Sequence, residues 1–213
     1  MDKEIEEKII NTQKRIAKKM MHPGLPEEVQ KSTLDWVVFR SELTKESARG
    51  CALLAASHID FLLEEAMRSK LVGTNKQLQA LFDFNGPLGT FSSRILLSYS
   101  IGLISKSYVH DLQIIRKIRN EFGHSPSIID FENPKICALC NNLKLTVDLK
   151  RDNKAKFITS VAFITGSLIA LSYTGNKFEE KKDGNIEAVK KGSEEFRKEL
   201  SDFFENSRKE SKE

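Results

Sequence analysis

The sequence predicts an all-α protein: a helical bundle with an N-terminal helical appendage and a charged C-terminal tail. Apolar residues recur at three- and four-residue steps through most of the chain, which is the period of an amphipathic helix. Alternating β patterns are scarce, and only five prolines and eleven glycines interrupt 213 residues. A chain of this length can bury one good-sized core without a second domain.

Composition fits a soluble globular protein, with 39% hydrophobic and 30% charged residues. The formal charge of +4 is compatible with nucleic acid but does not demand it, because dedicated binders concentrate charge in patches. The three cysteines and the acidic, charged start, which is unlike a secretory signal, lead us to expect a reducing compartment, the cytoplasm, and free thiols.

The N-terminal stretch predicts an amphipathic helix over residues 2–20, with Ile5, Ile9 and Ile16 on its apolar side. Its second half is basic and could touch phosphates or form a solvated face. Breakers at 23–26 separate it from the rest, so we expect an appendage over 1–30, a bundle domain over 31–175 and a tail over 176–213 that is partly helical or disordered.

Further helices follow in order. We expect a short one from about Thr33 to Leu43, with Trp36 outside its apolar stripe, and a long one opening at 46–50 and running to about Leu71. The next two are a short helix from Asn75 and one capped by Thr90. Another surrounds Ile136–Cys140, a short strand or extended connection covers 144–149, and a lone amphipathic helix spans about 186–208.

The stretch from Phe157 to Gly175 carries no charge and is just long enough to span a bilayer. Its serines, threonines and glycines dilute the hydrophobicity, and a helix buried on all sides in a bundle has the same composition. We interpret it as the central helix of the bundle rather than a membrane segment.

Recognisable cofactor and metal motifs are missing from the sequence. It contains no Walker loop, Rossmann glycine fingerprint, nucleophile elbow or HExxH. Cys137 and Cys140 form a CxxC pair, but no second pair or suitable histidine pair completes a zinc site. We therefore predict buried structural cysteines, no metal and no cofactor.

The segment from Asp111 to Ser125 predicts the helix around which the bundle is organised. Its apolar residues mark a core side, whereas Arg116, Asn120 and His124 recur at four-residue steps on another side, with Arg119 beside them. Arg119 and His124 would diverge by about 140° on a regular helix. We expect the helix to end near Gly123, which would let the backbone unwind and bring the imidazole back.

An arginine, a carboxamide and a histidine gathered in this way could cleave RNA without a metal. Histidine can take a proton from a ribose 2′-hydroxyl, and arginine can stabilise charge on the phosphate. One chain supplies only one Arg119 and one His124, so a dimer is implied. Alternatively, these side chains only satisfy carbonyls and carboxylates at a helix end, where the dipole favours histidine.

Several pieces of the sequence resemble known helical families. The run Arg119-Asn120-x-x-x-His124 resembles the R-N-x-x-x-H motif of the HEPN superfamily. A longer ordered set resembles the mannitol operon repressor (MltR-like) family, although Gly123 stands where an alanine is usual. Its pieces are Lys45–Gly50, Ala55–Asp60, Gly86–Leu88, Phe91–Ile95, Ser98–Ile104 and Asp111–His124.

The resemblance implies an all-helical bundle without a DNA-reading motif and a regulatory role through protein partners. We therefore predict an MltR-like, transcription-associated negative regulator acting on a protein partner or as a homodimer; sequence-specific DNA reading is not expected. The alternative is a HEPN-type, metal-independent ribonuclease in which RNA binds at catalytic Arg119, Asn120 and His124. The candidate binding residues are Glu46, Arg49, Arg94, Arg116 and Glu121.

Overall fold

The computed structural model describes residues 3–146, 152–182 and 184–210. All regular secondary structure in these ranges is α-helical, which confirms the predicted all-α class. The helices are α1 (Lys3–Met20), α2 (Glu27–Lys45), α3 (Ala48–Arg68), α4 (Asn75–Phe82), α5 (Phe91–Ser100), α6 (Lys106–His124), α7 (Pro134–Asn141), α8 (Asn153–Tyr173) and α9 (Ile186–Glu210).

Local capping chemistry fixes several helix starts. The Ser47 hydroxyl accepts a hydrogen bond from the third residue of its helix, and Thr74 and Thr90 each form a reciprocal capping box. The prediction that α2 begins near Thr33 is wrong, because the helix already starts at Glu27. The two glutamates in its first turn favour a helix start, because the helix dipole is positive at that end.

The core lies where α3, α6 and α8 meet, with α2, α5 and α7 packed around them. Each helix contributes large side chains that are completely buried, including Ile59 and Leu63 from α3, Ile115, Ile118 and Phe122 from α6, and Phe157 and Ile164 from α8. These positions follow the three- and four-residue steps of the sequence, so the apolar stripes face one shared interior.

Helix α8 is the central helix of this core. By length and composition it is the only described helix that could cross a membrane, and 56% of its apolar window is buried inside the protein. It packs against α2, α3, α6 and α7, which cover most of its apolar side chains, while Phe163 and Tyr173 remain partly exposed. Packing against four helices accounts for much of its apolar composition.

The N-terminal helix α1 lies along α2. Glu6 of α1 forms an ion pair with Lys45 at the end of α2, with 2.9 Å between the Lys45 Nζ and the Glu6 Oε2. Trp36 of α2 is buried and stacks on the His58 ring of α3 with centroids 5.3 Å apart. It also lines a cleft with Ile16 of α1, so this tryptophan joins α1 to the bundle. The prediction that Trp36 lies outside the apolar stripe is wrong, because Trp36 is buried on the same side of α2 as Val29 and Leu43.

Two buried charged residues hold the bundle together. Arg94 of α5 makes ion pairs at 2.8 Å with Asp60 and with Glu64 of α3, and it donates to the Leu88 carbonyl. Asp111 of α6 is completely buried, and its carboxylate accepts hydrogen bonds from α8 and from the segment after α7. Both charges are therefore satisfied within the domain, as buried charges must be.

The chain divides into two compact units, Met1–Phe178 and Glu179–Glu213. The second contains α9, whose apolar residues, among them Phe196 and Phe203, are exposed. The predicted domain boundaries at 30/31 and 175/176 stay predictions. Residues 144–146, the start of the predicted strand or connection, show only bends, and 147–149 lie outside the described residues.

Candidate functional site

Helix α6 runs without interruption to His124. The backbone N–H of Ser125 still donates to the Glu121 carbonyl at 3.1 Å, and Gly123 is not among the glycines with positive φ in the described chain. The predicted unwinding at Gly123 is therefore wrong. A glycine loosens a helix only where no regular hydrogen bonds hold it, and here the i→i−4 pattern continues to the last turn.

The uninterrupted helix separates the three predicted catalytic side chains. Asn120 and His124 are one turn apart and line the same surface cleft. Arg119 is not part of that cleft. It lies near Asp60 of α3, close enough for its positive charge to oppose the rise in the pKa of that carboxyl group. Within one chain, the His124 imidazole and the Arg119 guanidinium thus lie on different surfaces.

The cleft at the end of α6 has a volume of about 300 Å³. Besides Asn120 and His124 it is lined by Glu121 and Ser125 of the helix end, and by Ile129, Asn133 and Lys135 from the following loop and α7. Lys135 makes an ion pair with Glu121 at 2.8 Å, so these two charges neutralise each other. Neither the Asn120 amide nor the His124 imidazole is hydrogen-bonded to another described residue. Both are available to a ligand.

The loop beside the cleft is held in place by Arg49. Its guanidinium donates to the carbonyl oxygens of Ser125 and Ser127, at 2.8 and 2.9 Å. These bonds satisfy a carbonyl at the helix end and fix the loop against α3. Ile128 follows directly and is 101% exposed, so a large apolar side chain is presented to solvent on an anchored loop.

The other predicted binding residues have different surroundings. Arg94 is only 8% exposed and fully engaged inside the bundle, and Arg49 is committed to the loop. Glu46 is exposed beyond the end of α2, and its carbonyl accepts from Lys154. Arg116 is half-buried and donates to Gln113 of its own helix at 3.0 Å.

Burial dominates the shifted acid–base groups of the domain. It raises the pKa of Asp60, against the opposing charge of Arg94. It raises the pKa of the Cys51 thiol to about 11 and that of Cys140 to about 12, as expected for buried structural cysteines. Cys137 is only half-buried, so the prediction of burial is wrong for this cysteine. No group of three or more potential metal ligands occurs among the described residues.

Sequence reasoning missed three of the seven residues that line the cleft. Ile129, Asn133 and Lys135 come from the loop and helix after α6, and nothing in their spacing predicts that they fold back on His124. The one available signal was Asn133-Pro134, a helix start that places Lys135 in the first turn of α7. The role of Arg49 as a loop clamp was missed for the same reason.

Fold and cleft define the class of this protein: an all-α bundle in which α6 ends in a polar surface cleft, without a metal cluster in the described residues. The family model described as "Mannitol repressor" matches residues 48–161, more than half of the chain. The chain belongs to the mannitol repressor family.

Curated relatives agree with this assignment. The chain is 25% identical over 83 residues to the mannitol operon repressors of Escherichia coli strain K12 and of strain CFT073. The alignment covers 39% of this chain and 43% of either relative, so the chain spans less than half the length of the relatives it matches. Helices α1 and α2 and the C-terminal unit lie outside the matched family region.

A solved structure has the same fold. The X-ray structure of the MtlR-HPr complex from Escherichia coli superposes on the chain with a TM-score of 0.53 at 15% identity. It covers 62% of this chain and 98% of that chain. At this identity the likeness concerns the fold.

Proposed function

We propose that the chain is a transcription-associated negative regulator that acts mainly through a protein partner, without catalysing a reaction. The observation that carries the proposal is membership of the mannitol repressor family. The structural relative supports the mode of action, because it was solved as a complex with the protein HPr. An HPr-like protein is therefore the first partner to test.

The end of α6 is the surface that suits such a partner best. Ile128 offers an exposed apolar anchor on the loop after α6, and the next residue, Ile129, lines the cleft that holds the uncommitted side chains of Asn120 and His124. Protein interfaces commonly place polar groups around a few buried anchors. Because Arg49 fixes the loop, little conformational entropy would be lost when Ile128 is buried.

Calorimetric titration of the full chain with the HPr protein of the organism that encodes this chain tests the proposal. We expect saturable binding that weakens about tenfold, or about 1.4 kcal/mol, in Ile128→Ser. Leu96→Ser is the matched control, because Leu96 is also exposed but lies on α5. If pull-downs recover no protein partner and the chain instead binds a specific DNA sequence tightly, the proposal is wrong.

A metal-independent ribonuclease is the second candidate. Its support is the pairing of Asn120 and His124, both uncommitted, in one cleft. Since Arg119 faces elsewhere, a second copy would have to supply the phosphate ligand. Purified chain should then cleave RNA in EDTA, and His124→Ala and Arg119→Ala should abolish the cleavage. Cleavage that persists unchanged in either variant excludes this site.

Three coarser expectations accompany the proposal. We infer that the chain forms a homodimer, which light scattering after size-exclusion chromatography would detect, and that it works in the cytoplasm, which fractionation would check. We also infer that the bundle ends near residue 175. Limited proteolysis should first cut between α8 and α9, and a first cut inside α8 would contradict that boundary.

A further inference from the structure

The second half of α1 carries a strongly basic surface that the family match does not include. No acidic residue occurs between Glu7 and Glu27, although the chain contains 30 acidic residues. Four cations of this stretch, Lys14, Arg15, Lys18 and Lys19, form what we call the basic ridge. They line one concave surface together with Asn11 of α1 and Leu34 of α2.

The charges of the basic ridge are not compensated within the protein. None of the four makes an ion pair or hydrogen bond with another described residue. Elsewhere in this region lysines do find partners: Lys8 pairs with Glu4, and Lys45 pairs with Glu6. The ridge consists of two i, i+4 rows of like charge, an arrangement that repels itself until a polyanion neutralises it.

A membrane surface does not fit the orientation of the ridge. Ile5, Ile9 and Ile16 form the exposed apolar row of α1. Lys14 and Lys18 each lie two residues from Ile16, which places them about 160° away around the helix. Arg15 and Lys19 flank the row, at about 100° and 60° from Ile16. A bilayer that buried the isoleucines would therefore bring its headgroups to these two cations only and leave Lys14 and Lys18 in solvent, whereas a polyanion that lies along the ridge contacts all four.

An acidic protein surface fits less well than nucleic acid. Protein interfaces depend on buried aromatic or aliphatic anchors, but the lining of the ridge contains four cations, one amide and a single leucine. The positions from Lys14 to Lys19 span about 7.5 Å of helix, over which each DNA strand presents about two phosphates. Two rows of two cations can therefore neutralise up to about four phosphates.

From these observations we propose that the basic ridge binds the phosphate backbone of double-stranded DNA without reading its sequence. The contact would hold the regulator on DNA through electrostatics, and the protein partner would act elsewhere on the domain. Because all contacts are with phosphates, affinity depends steeply on salt and not on base sequence.

Fluorescence anisotropy of a labelled random-sequence duplex, titrated with the full chain at several salt concentrations, tests the proposal. With four phosphate contacts the logarithm of the affinity falls with the logarithm of salt at a slope of about −3.6. Through the ridge, the affinity for DNA should thus fall about 150-fold when the salt concentration rises from about 50 to about 200 mM. In the quadruple variant K14Q/R15Q/K18Q/K19Q, both the affinity at low salt and this slope should be lost.

The matched control is K190Q/K191Q/R197Q/K198Q. It removes the same four charges from another exposed helix, in which Lys191 lies 3.9 Å from Glu195. It should leave affinity and slope nearly unchanged, and circular dichroism should show unchanged helix content in both variants. Equal losses in the two variants would overturn the proposal, because net charge alone would explain them. So would unchanged DNA affinity in the ridge variant, or ridge-dependent binding to anionic vesicles without binding to DNA.

Discussion

Replacing Asp111 by alanine tests how α6 is tied to the rest of the bundle. The carboxylate is 0% exposed. It accepts hydrogen bonds from the Ser160 hydroxyl of α8 at 2.9 Å, from the Leu145 N–H at 2.8 Å and from the Lys144 N–H at 3.0 Å. His110 lies at 2.9 Å from the same group. One side chain thus joins α6, α8 and the segment that follows α7.

The cost of the substitution follows from these contacts. A hydrogen bond to a charged group contributes about 1.5–3 kcal/mol, and a donor left unsatisfied in the core costs about 1–3 kcal/mol. The Ser160 hydroxyl is buried and would find no new partner, whereas the two partly exposed backbone N–H groups could recover water. We therefore expect Asp111→Ala to lower the free energy of unfolding by about 3 kcal/mol.

Urea unfolding followed by circular dichroism measures this change. With a slope of about 2 kcal/mol per molar urea, the midpoint should fall by about 1.5 M. Asp111→Asn should be nearly as damaging, because its amide group would place a donor against the backbone N–H groups. Asp130→Asn is the control, since Asp130 is exposed and its carboxylate accepts a hydrogen bond from the Glu132 N–H. If Asp111→Ala and Asp130→Asn differ by less than about 1 kcal/mol, this account of the carboxylate is wrong.

Three further predictions follow from local surroundings. Burial lowers the pKa of His58 from its ordinary 6.5. The contribution of His58 to stability is therefore fully present above about pH 6.5, and it is lost as the pH decreases, because the unfolded chain protonates first. His58→Phe should reduce the difference between the urea midpoints at about pH 7.5 and 5.5, and an unchanged difference would contradict this. Gly123→Ala should raise the free energy of unfolding by about 0.5–1 kcal/mol, because the added methyl group meets only a side chain, at 3.8 Å. Gly86→Ala should lower the free energy of unfolding, because its methyl group would lie 2.4 Å from a backbone oxygen. Destabilisation by Gly123→Ala in the same unfolding assay would show that the helix end is strained. The raised pKa values of Cys51 and Cys140 predict that neither thiol reacts with a disulfide reagent at about pH 8 until the protein unfolds, and rapid labelling of both in the folded protein would show that they are accessible.

Helix existence could be predicted from the sequence because it depends on local periodicity and capping. Thr90 was predicted to cap its helix, and the structure shows the full capping box. Phe122 follows Ile118 by four residues on the apolar side of α6, and it is completely buried. The start of α2 was missed because four polar residues, 30–33, separate buried Val29 in its first turn from the next apolar residue, Leu34.

The candidate site could be predicted only in part, because its second wall is tertiary. Asn120 and His124 share a cleft by virtue of their four-residue spacing, which the sequence displays. Lys135 reaches the same cleft because α7 packs against α6, and no local pattern encodes that packing. The ion pair of Lys135 with Glu121 then changes the electrostatics of the cleft, since two charges that look available in the sequence neutralise each other.

The continuity of α6 decides how the R-N-x-x-x-H run can be used. On a regular helix each residue has a fixed direction, so Phe122 faces the core, Arg119 faces the charged network of α3, and Asn120 and His124 face solvent. No change of rotamer brings a side chain across about 140° of helix surface. A reaction that needs both the imidazole and the guanidinium at one phosphate therefore needs two chains, whereas binding a partner at the cleft needs only one. The geometry of a single chain for this reason favours recognition over catalysis.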